Sequence, residues 1–296
     1  MTSSADVLIM GGGAIGLAIA IELAHRQVKV TVLTRDFQEA AIHAAAGMLA
    51  PQAERLPTGP MQDLALRSRS LYPDWIHKLE ALTGLDAGYW PCGILTPRYS
   101  QDHASEASAP EPDATAQWLD REAIAQQQPD LSPEVIGGWW FPQDAQVDNR
   151  ALARVLTTAA QQLGITIQTG VTVKGLVCEG NRVTALETTD ASWQAQTYVL
   201  AAGAWSADLL PIPVFPRKGQ MLSVRSPASP PSHSLNQVLF GTESYIVPRR
   251  NGQIVIGATS EDVGFAPHNT PRGVQALLTA ATRLYPPLKD FALIDL

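Results

Sequence analysis

The first thirty-five residues carry two apolar runs separated by a helical pattern. Residues 7–10 are a short apolar run bounded by Asp6 and a glycine cluster, which predicts a strand buried on both faces. Ala14, Ile15, Leu17, Ala18, Ile21 and Leu23 populate a helix-forming stretch over 14–26, and residues 28–33 are β-branched again. The chain therefore opens as strand, glycine loop, helix, strand. Further on, residues 63–82 place Leu64, Leu71, Trp75 and Leu79 at helical spacing, with Pro73 predicting a kink or break. A helix is expected over 149–163, stopped at Gly164, and another over 271–284 with Pro271 in its first turn. Between them the period becomes that of strands: 165–168, 171–178, 182–187, 194–200, 215–224, 236–240, 245–248 and 253–256, with Asn251-Gly252 as a hairpin signal. Residues 99–114 and 226–233 read as loops. The pattern predicts an α/β fold: a Rossmann-like dinucleotide-binding domain, built from 1–80 and 149–210, interleaved with a β-rich substrate domain of 81–148 and 211–296.

Composition narrows the functions. A net charge of -7 disfavours nucleic acid, whose phosphates need basic partners, and no Lys/Arg run suits an anionic membrane. No window reaches the roughly 18 apolar residues of a membrane span, and residues 1–6 have no basic leader, so a cytoplasmic location is expected. Cys92 and Cys178 lack metal-ligand spacing, so no metal site and no disulfide framework are expected. His25, His77, His103, His233 and His268 fall on helices or loops and read as solvated.

Gly11, Gly13 and Gly16 match GxGxxG. Gly11 turns off the strand, Gly13 lets a pyrophosphate approach the backbone, and Gly16 lets the helix pack on the sheet. The helix N-terminus then offers N–H groups to phosphate, and the strand-loop-helix context favours a dinucleotide site over a merely structural turn. At the end of the second strand, where an acid usually binds ribose hydroxyls, stand Thr34 and Arg35. Thr34 retains a hydroxyl for that role, and Arg35 leaves open a 2′-phosphate and hence NADP.

The run His43-Ala44-Ala45-Ala46-Gly47-Met48-Leu49 resembles the D-amino-acid oxidase superfamily, and within it the glycine-oxidase branch of thiamine biosynthesis. Residues 67–72, 198–206, 216–220, 244–249 and 255–259 resemble further family segments in the same order, so the resemblance covers essentially the whole chain. It implies FAD as cofactor. It implies flavin contacts at Ala14, Ile15, Thr34, Arg35, Ala41, Ile42, Ala46, Gly47, Met48 and Val173, with Gly203 on the strand-to-helix return to the FAD, and an active-site role for Tyr245 beside Met48. From the residues alone, the small side chains at 44–47 also suit a close-packed helix start, Tyr245 also suits a core tyrosine, and Trp139-Trp140 suit core or subunit contact better than substrate binding.

The chemistry implied is transfer of a hydride from the Cα of a neutral amine to flavin. Imine hydrolysis and reoxidation by oxygen follow. For glycine this gives glyoxylate, ammonia and hydrogen peroxide, the imine feeding thiazole formation. The partners implied are glycine or sarcosine as small amino-acid substrate, oxygen, a homotetramer and a functional link to thiazole synthase. Oxidation of sarcosine, proline or another amino acid is the alternative, as is an inactive FAD-binding chain. The family's carboxylate-binding arginine is expected in a GxRPxTxD-type segment following residues 291–296, so the sequence reads as truncated before its C-terminal FAD-binding segment.

Overall fold

β1 (Ala5–Met10) buries Leu8, Ile9 and Met10 at the centre of a four-stranded parallel sheet. The structure, a computed structural model, describes residues 5–100, 115–226 and 235–295. Most of the loops expected at 99–114 and 226–233, together with His103 and His233, lie outside the described residues. β1 pairs in parallel with β2 (Val30–Thr34) on one side and with the strand Ala195–Leu200 on the other; β2 in turn pairs with Thr166–Thr169. Parallel neighbours need a crossover, supplied here by α1 (Ala14–His25), which buries Gly16, Leu17, Ala20 and Ile21. The helix Asn149–Gln162 buries Leu152, Val155, Leu156 and Ala159, a stripe at helical spacing, and Gly164 follows it at φ 69°. A three-stranded antiparallel sheet, Val173–Glu179, Arg182–Thr188 and Ser192–Trp193, joins Leu176 and Leu186 to Leu8, Met10 and Leu33 in one apolar cluster. These elements belong to the first of two compact units, Met1–Ala45, Ile76–Ala87 and Asn149–Pro216.

The second unit comprises Ala46–Trp75, Gly88–Asp148 and Arg217–Leu296. Its eight-stranded sheet runs in the order Ala292–Asp295, Met221–Arg225, Gln253–Gly257, Tyr245–Pro248, Val238–Phe240, Ile94–Tyr99, Val135–Phe141, Gln117–Asp120. Every pairing is antiparallel except Val238–Phe240 with Ile94–Tyr99. Alternation along its strands separates two cores. Ile246, Ile254 and Ile256 pack with Leu277, Ala281 and Leu284 of the helix Pro271–Leu284. Val247 and Val255 pack with Ala46, Ala50, Ala53, Ile94, Phe141 and Val238. That helix is capped by Thr270, whose hydroxyl accepts the Gly273 N–H at 3.1 Å. The hairpin at Asn251-Gly252 forms as expected, with Gly252 at φ 81°.

The mixed α/β class expected from the sequence is the class observed, and the departures are local. Residues 46–75 belong to the second unit, because Ala50 and Ala53 enter its core and Asp144 accepts the Ala53 N–H at 2.8 Å. The strand expected at 215–224 starts only at Met221; Pro211, Pro213 and Pro216 remove ladder donors from the segment before it. The helix Pro60–Thr83 runs through Pro73 without a break in assignment. The strands Ile94–Tyr99, Gln117–Asp120 and Val135–Phe141 and the helix Arg121–Gln127 fill a stretch with no clear sequence period.

Candidate functional site

In the first unit, the loop between β1 and α1 is shaped by what its glycines lack. A Cβ on Gly11, which sits at φ 110°, would strike the Ala201 carbonyl, and one on Gly16 would strike the Gly11 carbonyl. Gly13 differs: a Cβ there would meet only the Ala40 Cβ, at an ordinary contact distance of 3.8 Å, so no backbone closes over its bare face and room remains beside it. No side chain caps the start of α1, which leaves its first N–H groups directed at that space. Ile15, on the same turn, is 71% exposed. Ala14 stands beside it, and Gly203, at φ 56°, has nothing within 4 Å of its Cβ position. These features fit a dinucleotide pyrophosphate lying at the carboxyl ends of the parallel strands.

At the end of β2, Thr34 is buried against Gly12, whereas Arg35 is exposed and donates through Nε to Glu39 at 2.9 Å. The Arg35 guanidinium lies 4.6 Å over the Trp205 ring. The Gly170 and Val171 N–H groups bond the Arg35 and Thr34 carbonyls, which brings Val173 to this same end of the sheet. Ala41 and Ile42 form a 3₁₀ turn with His43, and the Ile42 carbonyl is held by Asn149 Nδ2 at 2.6 Å.

Ala46, Gly47 and Met48 fall in the second unit. The helix start that residues 44–47 also suited does not form; they are irregular, with Gly47 at φ 73°. Met48 pairs with Gln146 in a short two-stranded ladder. Arg249, almost wholly buried, fixes this loop: it donates to the Ala46 carbonyl at 2.7 Å, to Gln146 Oε1 at 2.7 Å and to the Val147 carbonyl at 3.1 Å.

Tyr245 and Met48 pack against one apolar cluster, with Met221, Phe240 and Cys92 around it. Tyr245 lies opposite Gly257 in the sheet, and a Cβ there would strike its ring. Its hydroxyl is 3.7 Å from Met221 Sδ, and its ring is parallel to Phe240 at 6.4 Å. Burial, and then the charge of Glu54, push the Tyr245 phenol up to about 12, so it remains a hydrogen-bond donor at neutral pH. Glu54 is itself raised, by burial and then by Asp144. Asp144, buried and ion-paired with Arg69, is raised by its burial despite the bonds it accepts.

Sequence reading picked out the glycine loop and the Met48 and Tyr245 segments as candidates. It missed Arg249, Met221, Glu54 and the Arg69–Asp144 pair. For Arg249 the signal was a basic residue ending an apolar strand; the others had none, since their partners are remote in sequence. Trp139 and Trp140 pack into the two core clusters. His25, His77 and His268 are exposed, as expected. Among the described residues no group of His, Cys, Asp or Glu has metal-binding geometry, and no helix is long and apolar enough to cross a membrane.

A parallel sheet with a glycine cradle at its carboxyl edge, joined in one chain to a large antiparallel unit, defines a dinucleotide-dependent oxidoreductase. The chain belongs to the FAD dependent oxidoreductase family, whose sequence pattern matches residues 6–294. It is 57% identical to the bifunctional protein ThiO/ThiG of Trichormus variabilis over 97% of its own length and 44% of that protein's, so it spans under half of this relative. It is 32% identical to the glycine oxidase of Geobacillus kaustophilus, over 98% of the chain and 79% of that enzyme. The crystal structure of that glycine oxidase superposes with a TM-score of 0.89, covering 99% of this chain and 81% of the other at 31% identity.

Proposed function

We propose that this chain is an FAD-dependent oxidase of glycine. The observation that carries the reading is the Gly13 face, open beside an uncapped helix N-terminus, in a chain 32% identical to a glycine oxidase. In this reading the first unit is the FAD-binding domain. In that unit Gly11, Gly13, Ala14, Ile15 and Gly16 take the pyrophosphate, Thr34, Arg35 and Val173 the adenosine end, and Ala41, Ile42 and Gly203 the remaining contacts; Ala46, Gly47 and Met48 are the cofactor contacts proposed for the second unit. The cofactor supplies two-electron oxidation of the C–N bond, with oxygen as final acceptor.

The protein's part is positioning. Tyr245, protonated at neutral pH, donates a hydrogen bond toward the substrate carboxylate. Met48, Met221 and Phe240 form a partly buried apolar wall, whose low polarity favours the neutral amine over ammonium. Glycine, oxygen and water then yield glyoxylate, ammonia and hydrogen peroxide. The glycine imine formed on the way links the chain to thiazole synthase, and a homotetramer is the assembly proposed.

The test is anaerobic addition of glycine to the purified chain while its visible spectrum is followed. Bleaching of the flavin bands, with peroxide released on readmitting air, supports the reading. Bands that bleach with sarcosine or proline but not with glycine overturn the substrate, and absence of flavin overturns the cofactor site.

A further inference from the structure

The Tyr245 ring lies over the backbone of Gly257, where only a glycine leaves room for it, so the place of the phenol is set by the place of that backbone. Gly257 is the last residue of the strand Gln253–Gly257, and it pairs with Met221, the first residue of Met221–Arg225. The ends of a ladder open more readily than its middle. Here a second set of bonds begins where the ladder stops. Lys218 and Glu261 exchange backbone N–H groups and carbonyls at 3.0 and 2.9 Å, and the Thr259 hydroxyl accepts the Gln220 N–H at 2.9 Å.

The hub is Gln220, which is 1% exposed. Its Nε2 donates to Glu261 Oε1 at 2.6 Å and to Thr270 Oγ1 at 3.1 Å, and its Oε1 accepts the Thr270 N–H at 2.6 Å. A Cβ on Gly273 would strike this amide, so the helix Pro271–Leu284 makes room for it. Glu261 Oε1 also accepts from the Thr259 hydroxyl, and Oε2 lies 3.5 Å from Lys218 Nζ. The bonds from Thr259 and then from Gln220 hold the Glu261 carboxyl below the usual carboxylate range, so it stays a charged acceptor at neutral pH. Asn269 Nδ2 adds a bond to the Met221 carbonyl at 3.3 Å. The chain thus leaves this point at Glu261 and is tied back to it at Asn269 and Thr270. A buried amide is costly unless its bonds are made, and these bonds all brace the ladder end that carries Met221 and seats Tyr245.

We propose that Gln220 and Glu261 are positioning residues for the oxidation, acting through Met221 and Gly257 to hold the Tyr245 phenol where it meets the substrate. The assignment rests on the role given to Tyr245 above. It follows from the geometry of donors: a hydrogen bond that orients a substrate loses most of its effect on rate when the donor shifts by about 1 Å.

The experiment uses the full chain with its flavin bound. Anaerobic bleaching by sub-saturating glycine is timed for Gln220→Met and Glu261→Ala, each alone and each combined with Tyr245→Phe. Alone, each is expected to slow bleaching about tenfold, as a misplaced donor does. In the Tyr245→Phe chain each should slow it by less than about twofold, because the group they position is gone. Glu261→Gln keeps an acceptor for Gln220 and Thr259; it should recover most of the rate, and it serves if Glu261→Ala fails to fold. A second readout needs no substrate: amide hydrogen exchange in peptides covering 217–223 and 255–261 should quicken in Gln220→Met and Glu261→Ala. Equal slowing in both backgrounds, or no slowing, overturns the assignment and leaves the oxidase reading standing. Unchanged exchange in those peptides overturns it as well. A wild-type chain that glycine does not bleach overturns the oxidase reading, and the assignment with it.

Discussion

The first unit builds its candidate site from backbone, the second from side chains. In the first, Gly11 and Gly16 bring peptide groups too close together for any Cβ, and Gly13 leaves a bare face beside a helix N-terminus. In the second, Tyr245, Met221, Met48 and Phe240 converge on one cluster, and a buried arginine, Arg249, ties the Ala46–Val147 region to the hairpin. A site made by omission tolerates no added atom, whereas a site made of side chains tolerates shape changes and fails when a charge or donor is lost. This contrast is what mutation can break.

The largest effect is expected from Gly16→Ala. The new methyl meets the Gly11 carbonyl, which cannot move without opening β1, so flavin retention, read as the visible-to-ultraviolet absorbance ratio, should be abolished. Gly13→Ala sharpens the point: its methyl meets nothing closer than 3.8 Å, so the melting temperature should hold while flavin affinity falls. Next comes Arg249→Ala, which leaves the Ala46 and Val147 carbonyls and Gln146 without their donor. About 3 kcal/mol of stability should be lost in urea titrations, and Arg249→Lys should not restore it, because an ammonium cannot reproduce the planar fork.

A smaller effect is expected in alkali. The Tyr245 phenol is raised from 10.0 to about 12, so the unfolded chain gives up this proton first. The stability it contributes is present below pH 10 and is lost as pH climbs through that interval, by at most about 3 kcal/mol. Tyr245→Phe should flatten this loss, and Glu54→Gln should narrow the interval from above, both read from unfolding midpoints against pH. Ile256→Val, a methylene removed from the fully buried helix-facing core, should cost about 1 kcal/mol and leave flavin binding unchanged.

The opening strand, loop, helix and second strand, the helices at Asn149–Gln162 and Pro271–Leu284, and the hairpin at Asn251-Gly252 were all legible in the sequence. Each is set by neighbours within a few residues: apolar period, capping hydroxyl, turn chemistry. The spacing of Gly11 and Gly16 belongs in part to the same class, because Gly16 is constrained by the nearby Gly11 carbonyl, whereas Gly11 itself is constrained by the remote Ala201 carbonyl. Contacts between remote residues were settled only by tertiary structure. Residues 46–75 joined the second unit because Ala50, Ala53 and Arg69 find partners near position 144. Tyr245 became a raised phenol because the fold buries it, in the room left by Gly257, and then because Glu54 came near. Thr34 came to lie against Gly12, a contact made only when the end of β2 meets the glycine loop. Local periodicity fixes which segments become helix and strand, but burial, charge and the choice among polar side chains depend on the low-dielectric surroundings that only the folded chain creates.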